Sequence, residues 1–261
     1  VTGGLGGLGL LAAQRLAERG ARRLILMGRT SLPPRRDWSA LDPESRPGQQ
    51  VAAVRRLEAL GTAVHLAAVD VGDEAQIAAF MAQYEAEGWP AIRGVVHAAG
   101  TVRDRLLADL SWDEMAEVLH AKVAGSWLLH TLLPDLDFFV VFSSLGALLG
   151  QPGQGNYAAA NAFADALVAQ RRRAGYSGLS INWGPWSGIG FAAATGGQRV
   201  TQELARQGIG ALEPAQGLDI LAKLLAGRSS GQVAVLPAVT PAVEARELPY
   251  LLRELRVGAA S

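Results

Sequence analysis

The chain opens with Val1-Thr2-Gly3-Gly4-Leu5-Gly6-Gly7-Leu8-Gly9, and helix-forming residues follow this glycine-rich segment directly. Glycines before a helix let the backbone turn tightly and approach a phosphate, while the free N–H groups and positive dipole end of the helix face that anion. A helix around Ala12–Glu18 and an apolar strand at Leu24–Met27 come next. A glycine loop, a helix and a second strand form the first unit of a dinucleotide-binding fold; a tight turn without a ligand is the alternative.

The composition argues against several classes of function. The 24 basic and 24 acidic residues balance, so the overall charge favours neither nucleic acid nor an anionic membrane as a partner. Apolar runs stay below the roughly 18 residues that a membrane-spanning helix needs. The chain has no cysteine, which excludes disulfides and cysteine metal sites and fits a reducing compartment. We therefore predict a cytoplasmic protein without a metal site.

Helical and strand patterns alternate along most of the 261 residues. Beyond the first helix and strand, helices are predicted at Val51–Leu60, Glu74–Glu87, Ser111–Leu132, Asn156–Arg173 and Pro214–Leu225, and strands at Ala63–Val69, Ile92–His97, Phe138–Phe142, Leu179–Asn182 and Gln232–Leu236. The segments 31–48 and 184–197 are predicted to be irregular, and the second of them mobile. The alternation predicts an α/β fold, a Rossmann-like doubly wound parallel sheet with its ligand crevice at the carboxyl ends of the strands.

The chain is expected to hold one catalytic domain. Residues 1–240 are predicted to form this domain, and residues 241–261, with prolines nearby and mixed charge, a tail or linker. Almost nothing precedes the glycine loop, so the first strand, which should lead into the loop, is expected to be truncated. We interpret the chain as a piece of a longer polypeptide.

Candidate cofactor-binding residues lie at the ends of the predicted strands. Arg29 follows the second strand, where an acidic residue commonly binds the ribose of NAD; a guanidinium there suits a 2′-phosphate and favours NADPH, with a solvated surface arginine as the alternative. Asp70-Val71 ends the next strand, where the carboxylate suits the adenine amino group or, alternatively, a helix cap or turn. Ala98-Ala99-Gly100 ends the following strand, and its small residues allow the cofactor ribose to approach. His97 alone is more typical of a satisfied core histidine.

The most specific constellation combines a serine, a tyrosine and a lysine. Ser144 lies at the mouth of the fifth strand, and Tyr157 and Asn161 are four residues apart on a predicted helix, so they share one face. Such groups reduce a ketone: the tyrosine donates a proton to the developing alkoxide, the serine holds the carbonyl, and a cation lowers the pKa of the phenol. Lys122, on the long preceding helix, is the predicted cation. A packing tyrosine, a strand-end serine and a surface lysine are the alternatives for each residue alone.

The chain resembles the ketoreductase domain of modular polyketide synthases, an atypical branch of the short-chain dehydrogenase/reductases, from Val1 to about Pro237. The segments that carry the resemblance are Thr2–Gly9, Gly28-Arg29, Leu32-Pro33-Pro34-Arg35, His97–Gly100, Phe142–Ser144, Gln154–Asn161 and Asn182-Trp183-Gly184. In the wider superfamily a lysine follows the tyrosine by four residues and an asparagine lies on the earlier helix. Here Asn161 and Lys122 occupy the exchanged positions, as they do in polyketide ketoreductases. The resemblance implies a sheet of the short-chain dehydrogenase/reductase type.

The resemblance also implies roles and partners. Tyr157 is expected to donate the proton and Ser144 to orient the β-keto oxygen, while Lys122 contacts the tyrosine or the nicotinamide ribose and Asn161 supports it. The expected cofactor is NADPH, and the expected substrate is a β-ketoacyl thioester on the phosphopantetheine arm of an acyl carrier protein. An N-terminal structural subdomain of the same synthase is expected to pack on this domain. The predicted cofactor-binding residues are Thr2, Gly3, Gly4, Leu5, Gly6, Gly9, Arg29, Asp70, Val71, Ala98, Ala99 and Gly100.

The segment 184–197 is expected to form a substrate lid with Trp186 and Phe191 as apolar contacts; a core tryptophan is the alternative for Trp186. Relatives that form an L-hydroxyl resemble one another in a tryptophan eight residues before the tyrosine, where Leu149 stands. Relatives that form a D-hydroxyl carry Leu-Asp-Asp, of which Val102-Arg103-Asp104 keeps the last acidic residue. We expect the D-alcohol (B-type). A reductively inactive or epimerising domain, and a free-standing dehydrogenase of a small alcohol, are the alternative functions.

Overall fold

A computed structural model of the chain describes residues 1–190, 195–206, 208–227 and 231–237. Within them the strands are β1 (Arg23–Gly28), β2 (Ala63–Ala68), β3 (Gly94–His97), β4 (Phe138–Ser144), β5 (Leu179–Trp183) and β6 (Gly231–Val235). The helices are α1 (Gly7–Glu18), α2 (Arg46–Ala59), α3 (Glu74–Ala86), α4 (Trp112–Leu119), α5 (Gly125–Leu132), α6 (Gly146–Leu149), α7 (Gly155–Arg173), α8 (Thr195–Arg206) and α9 (Pro214–Ala226). Short 3-10 helices cover Arg35–Ala40 and Leu107–Asp109, and a π-helical turn covers His120–Ala124.

The described strands all run parallel. β2 pairs with β1, and β3, β4, β5 and β6 follow one another in chain order. Thr2 joins the two groups, because its backbone pairs with Met27 of β1 on one side and with His97 of β3 on the other. Val1 and Thr2 thus stand in the strand position before the glycine loop, beside an apolar cavity of about 790 Å³ lined by β1 and β3. The predicted α/β fold with a doubly wound parallel sheet is confirmed.

Helices cover both faces of this sheet, as its continuous apolar strands require. One face packs against α3, α5 and α7 through buried residues that include Ile77, Leu129 and Val168. The other face packs against α1, α2 and α9, and Ala13 and Leu221 belong to its buried contacts. Because both faces are covered, the carboxyl ends of the strands and the loops after them remain open to a ligand.

The predicted single helix over Ser111–Leu132 is wrong in one respect. Ser111 is the expected N-cap: its hydroxyl accepts from the Glu114 N–H at 3.2 Å, and its own N–H donates to the Glu114 carboxylate at 3.0 Å. After α4, however, the turn His120–Ala124 is π-helical, and only then does α5 begin. A π turn contains one residue more than an α turn, and the hydrophobic pattern of the sequence does not reveal this extra residue. Lys122 is buried within the π turn.

Several other elements also differ from the expectation. The segment 31–48, predicted to be irregular, holds a 3-10 helix and the start of α2. The Ser45 hydroxyl caps α2 by accepting from the Gly48 N–H at 3.2 Å. β3 begins at Gly94, two residues later than predicted. The short helix α6 was not predicted, and α8 begins inside the segment 184–197.

Two expectations fall outside the part of the chain that the structure describes: the tail or linker at 241–261 and the lid contact of Phe191. The prediction for the tail therefore stays a prediction.

Among the described helices, none combines the length and the apolar character that crossing a bilayer requires.

Gly9 packs on the backbone of the glycine loop, so we expect Gly9→Ala to destabilise the fold. A methyl group there would lie 2.2 Å from the Gly3 carbonyl oxygen, far inside van der Waals contact. Alanine gains about 1 kcal/mol over glycine in a helix, whereas forcing a clash in a packed site costs about 3 kcal/mol. Urea unfolding should show a net loss of about 2 kcal/mol.

Gly28→Ala is the matched control, because a methyl group at Gly28 meets none of the described atoms within 4 Å. Its free energy of unfolding should stay within about 0.5 kcal/mol of that of the unaltered chain. An equal loss in both variants would contradict the packing role of Gly9.

Candidate active site

A cavity of about 490 Å³ lies at the carboxyl ends of β3, β4 and β5. The glycine loop forms one part of its wall through Gly3 and Gly6, and the end of β4 and the start of α7 form another through Ser144 and Tyr157. Lys122 lines the cavity as well. Residues from separate segments therefore meet at the sheet edge where parallel α/β sheets bind their ligands.

The glycine loop leaves the start of α1 open to an anion. Gly3 has a left-handed φ of +64°, which residues with side chains rarely adopt, and a methyl group there would lie 3.1 Å from the backbone of Ala98. Gly6 is the N-cap of α1; no described side chain caps this helix, and its first turn holds no acidic residue. The first-turn N–H groups are therefore available for a phosphate. Gly4 packs on β1 instead, where a methyl group would lie 2.9 Å from Leu26.

A second cavity, of about 230 Å³, shares part of the glycine loop with the first. The predicted cofactor-binding residues that line it are Thr2, Gly3, Leu5, Gly6, Arg29, Asp70, Val71, Ala99 and Gly100. Arg29 is exposed there, and sequence reasoning missed two of its companions, Thr30 and Arg46. Arg46 is the first residue of α2, and a basic residue at a helix start, where acidic residues are favoured, is the signal that could have found it. Gln50, also missed, ties α2 to the loop by donating from Nε2 to the Leu5 carbonyl at 2.9 Å.

Asp70 is engaged within the protein. Its carboxylate accepts from the Gly72 N–H at 3.0 Å and lies 3.1 Å from His120 Nε2. These contacts agree with the turn alternative, although Asp70 also lines the second cavity, and its contact with adenine stays a prediction. In the part of the chain that the structure describes, no three histidine, aspartate or glutamate side chains gather as a metal ion would require.

Thr2 and His97 link the glycine loop to the π turn. The Thr2 hydroxyl lies 2.7 Å from His97 Nδ1, and His97 Nε2 lies 3.0 Å from the Ala121 carbonyl oxygen. Because a carbonyl only accepts, Nε2 carries the hydrogen and Nδ1 accepts from the threonine hydroxyl. Burial lowers the pKa of His97 well below its usual range, and the charge of Lys122 acts in the same direction. His97 is therefore a neutral, satisfied core histidine.

Lys122 is buried, with 3% of its surface exposed. Its Nζ donates to the Phe142 carbonyl of β4. Gly100 leaves room for the side chain, since a methyl group there would lie 3.1 Å from Lys122 Cε. Burial lowers the pKa of Lys122 to about 8, and the negative charge of Asp165 opposes this shift. The alternative of a surface lysine is excluded.

Tyr157 stands on the first turn of α7 with its phenol in the cavity near Ser144. The side chain is partly exposed, but desolvation at its hydroxyl end raises the pKa of the phenol. Hydrogen bonding with Ser144 and Asn161 opposes this shift in part, and the charge of Asp104 adds to it. The expectation that a cation lowers this pKa is wrong, because desolvation outweighs the other effects. The phenol therefore keeps its proton at neutral pH, as a proton donor must.

Asn161 is fully buried one turn after Tyr157. Its Nδ2 donates to the Tyr157 carbonyl at 2.9 Å, while its Oδ1 has no hydrogen-bond partner among the described residues. α7 packs against the π turn that carries Lys122. Lys122 and Asn161, whose positions are exchanged relative to the wider superfamily, thus lie on two helical segments that contact each other.

The four predicted substrate residues differ in whether they lie at the first cavity. Asp104 accepts from Gln154 Nε2 at 3.0 Å. Gln154 belongs to a segment that carries the resemblance but was not predicted as a site residue, and it lines the first cavity. Leu149 is on α6 and belongs to an apolar cluster that includes part of α8; it does not line the described cavity. Trp186 is both buried in the core, against the tryptophan of β5, and part of the cavity wall. Phe191 lies outside the described residues.

The chain is similar to a protein family and to known proteins. Residues 1–188 match the family described as KR domain. The chain is 42% identical over 246 residues to a phenolphthiocerol/phthiocerol polyketide synthase of Mycobacterium tuberculosis, a match that covers 93% of this chain and 13% of that protein. It therefore spans a small part of this curated relative.

Two solved structures are similar to the chain. The ketoreductase from the first module of phoslactomycin biosynthesis in Streptomyces sp. HK803 matches with a TM-score of 0.78 and 38% identity, over 92% of this chain and 52% of that one. A structure of A-type ketoreductases from a modular polyketide synthase matches with a TM-score of 0.77 and 35% identity, over 90% of this chain and 46% of that one. The chain corresponds to about half of each solved chain.

The buried position of Lys122 can be tested by its titration, because Lys122 and Lys223 are the only lysines of the sequence. With carbon-13 at lysine Cε, we expect the Lys122 resonance to titrate with a pKa of about 8, since burial disfavours the ammonium. The ammonium should predominate below that pH and be lost as the pH rises through it. Nuclear magnetic resonance over a pH series measures the midpoint.

Lys223, which is exposed, is the internal control, and a Lys223→Arg variant assigns the two resonances. A Lys122 midpoint near the ordinary lysine value of about 10.4 would contradict the buried placement.

Proposed function

Because this chain belongs to the KR domain family, the ketoreductase domains of polyketide synthases within the short-chain dehydrogenase/reductase superfamily, we propose that it reduces the β-keto group of a polyketide intermediate to a β-hydroxyl with NADPH. One observation carries the proposal: Ser144, Tyr157 and Lys122, from three separate elements, line one cavity together with the glycine loop. A ketone oxygen placed at Tyr157 and Ser144 would meet a proton donor and a hydrogen-bond donor at once.

The choice of NADPH rests on the fit of the chain's own residues. The uncapped start of α1, with Gly3 and Gly6, suits the pyrophosphate. Arg29 and Arg46 are both exposed at the second cavity and suit a 2′-phosphate, which a guanidinium binds bidentately. When bound, NADPH supplies a hydride to the carbonyl carbon.

The side chains around the phenol divide the remaining work of the reduction. Tyr157 Oη donates its proton to the ketone oxygen, and Ser144 Oγ donates a hydrogen bond to the same oxygen. The Lys122 ammonium stabilises the negative charge that develops there, and its buried surroundings screen this interaction little. Asn161 holds the turn of α7 that carries Tyr157 by donating to its carbonyl at 2.9 Å.

The proposed substrate is a β-ketoacyl thioester on the phosphopantetheine arm of an acyl carrier protein. The mycobacterial polyketide synthase is far longer than its matched region, which is 13% of its length, and this supports partners within a synthase. The proposed partners are the acyl carrier protein and an N-terminal structural subdomain that packs on this domain. Residues 1–240 would be the catalytic domain and 241–261 a linker. A cytoplasmic location belongs to the same proposal and is supported by the absence of cysteine.

The proposed product is the D-alcohol of a B-type ketoreductase. Support comes from Asp104, the acidic residue kept from the Leu-Asp-Asp motif of relatives that form a D-hydroxyl. Its carboxylate accepts a hydrogen bond from Gln154, which lines the first cavity. Leu149 at the tryptophan position points the same way. A reductively inactive or epimerising domain has less support, because Tyr157 and Asn161 are both present.

We expect Tyr157→Phe to lower kcat for a β-keto diketide thioester by about a hundredfold or more, because the variant lacks the proton donor. The binding of NADPH should change little, since the rest of the site is intact. The decrease of NADPH absorbance measures the rate, and a chiral column resolves the product of the unaltered chain, which we expect to be the D-hydroxyl.

Tyr176→Phe is the control, because Tyr176 is an exposed tyrosine with 40% of its surface accessible, and its rate should equal that of the unaltered chain. Undiminished reduction by Tyr157→Phe would contradict the proposed role. Scrambling of the α-carbon without consumption of NADPH would favour the epimerising alternative, and an L-hydroxyl product would contradict the B-type assignment.

Arg29→Ala should weaken the binding of NADPH and leave that of NADH unchanged. Loss of a charged hydrogen bond to the 2′-phosphate, about 1.5–3 kcal/mol, raises the Kd about 10- to 150-fold, as measured by the fluorescence of the bound reduced cofactor. Arg36→Ala is the control, since this exposed side chain, 3.8 Å from Asp37, does not line the second cavity as described. Equal weakening for both cofactors would contradict the preference for NADPH.

A further inference from the structure

Asp165 belongs to a buried polar network behind the candidate active site. It follows Tyr157 by eight residues and Asn161 by four on α7, so the three side chains share one face of the helix. Asp165 has 8% of its surface exposed, and a carboxylate is costly to bury unless its partners replace water. Its contacts therefore indicate what it does.

The Asp165 carboxylate accepts three hydrogen bonds. Ser180 Oγ donates to Oδ1, and Asn182 Nδ2 and Gln232 Nε2 donate to Oδ2 at 2.9 and 3.1 Å. An ionised carboxylate has only acceptors, and these partners match it because each presents a donor. Since Ser180 and Asn182 lie on β5 and Gln232 on β6, the network ties α7 to two strands.

Asn182 extends this network to the end of β4. Its Nδ2 lies 3.0 Å from Ser143 Oγ and 3.1 Å from the Ser144 carbonyl oxygen, while its Oδ1 accepts from Gln232 at 3.0 Å. Rotating this fully buried amide would exchange its donor and its acceptor and break these contacts. The Asp165 carboxylate therefore sets the orientation of the amide, and the amide holds the backbone of Ser144.

The same carboxylate acts on the buried charge of Lys122. Lys122 Nζ donates to the Phe142 carbonyl of β4, and Asn182 contacts the end of the same strand. The titratable groups around Lys122 are the neutral His97 on β3 and, on α7, the Tyr157 phenol and the Asp165 carboxylate. Among the described residues, the carboxylate whose charge acts on Lys122 is that of Asp165.

We propose that Asp165 is a positioning residue of the ketoreductase site, which holds the Ser144 end of β4 through Asn182. Asp165 acts on the reacting atoms through these neighbours. This inference rests on the proposed function, whereas the effect of the Asp165 charge on Lys122 can be measured without a substrate.

Three variants separate the hold on Ser144 from the effect of the Asp165 charge on Lys122. Asp165→Asn removes the charge and replaces one of the two acceptor oxygens with an NH2 donor. Asn182→Ala breaks the connection to Ser144 and keeps the charge. Ser180→Ala removes one hydrogen bond from the carboxylate and keeps both the charge and the connection. Each variant is studied as the full chain, first by the titration of Lys122 with carbon-13 at Cε, then by kcat and KM for a β-keto diketide thioester over a pH series.

In Asp165→Asn we expect the Lys122 midpoint to fall by about one pH unit, because a nearby opposite charge favours the ammonium. The alkaline limb of the kcat profile should move to lower pH with it. Asn182→Ala and Ser180→Ala should leave the Lys122 midpoint where it is in the unaltered chain. In Asp165→Asn and Asn182→Ala, kcat should fall about tenfold or more, because the Ser144 hydroxyl is misplaced. The KM for NADPH should stay within about twofold of that of the unaltered chain.

An unchanged Lys122 midpoint in Asp165→Asn, or an equal fall in Ser180→Ala, would overturn the effect of the Asp165 charge on Lys122. An undiminished kcat in Asn182→Ala would overturn the hold on Ser144. If Asp165→Asn does not fold, Asp165→Ser replaces it with the same expectations, because it also removes the charge and leaves space for water. Failure of the unaltered chain to reduce the thioester would contradict the proposed function, and the titration would still decide whether the charge of Asp165 acts on Lys122.

Discussion

Burial of the Lys122 ammonium against β4 is the interaction on which the rest of the site depends. Moving an ammonium from water into a protein costs several kcal/mol unless other groups replace its hydration. In this chain the Phe142 carbonyl accepts from Nζ, and the Asp165 carboxylate opposes the charge. The replacement is incomplete, which is why the pKa of Lys122 falls to about 8. A lysine that is charged at neutral pH in weakly screened surroundings acts strongly on any charge that develops near it.

The surroundings of Lys122 show how the chain accommodates that burial. The π turn directs the side chain inward, and Gly100 leaves space for its stem. Gly125 lets the turn pack closely, since a methyl group there would lie 2.9 Å from Val71 and 3.4 Å from His97. The neutral tautomer of His97 avoids a second buried positive charge, and its hydrogen bonds connect the glycine loop to the π turn. The glycine loop and Lys122 are therefore parts of one packed unit.

Local spacing explains which parts of the site could be predicted from the sequence. Tyr157 and Asn161 share a helix face because four residues make about one turn, and Ser144 follows an apolar strand whose end the sheet topology fixes. The inward direction of Lys122 depends on a π turn, which leaves no period in the sequence. Arg46 was missed because it reaches the second cavity only when α2 lies beside the glycine loop, a contact between segments far apart in the chain.

The most direct test of the site is a crystal structure of the chain with NADP⁺, which cannot deliver a hydride, and a β-keto thioester. We expect the ketone oxygen about 2.6–3.2 Å from both Tyr157 Oη and Ser144 Oγ. The carbonyl carbon should lie about 3–3.5 Å from nicotinamide C4, with Lys122 still buried against Phe142. A ketone bound away from Tyr157, or a Lys122 side chain turned to solvent in this complex, would contradict the site described above.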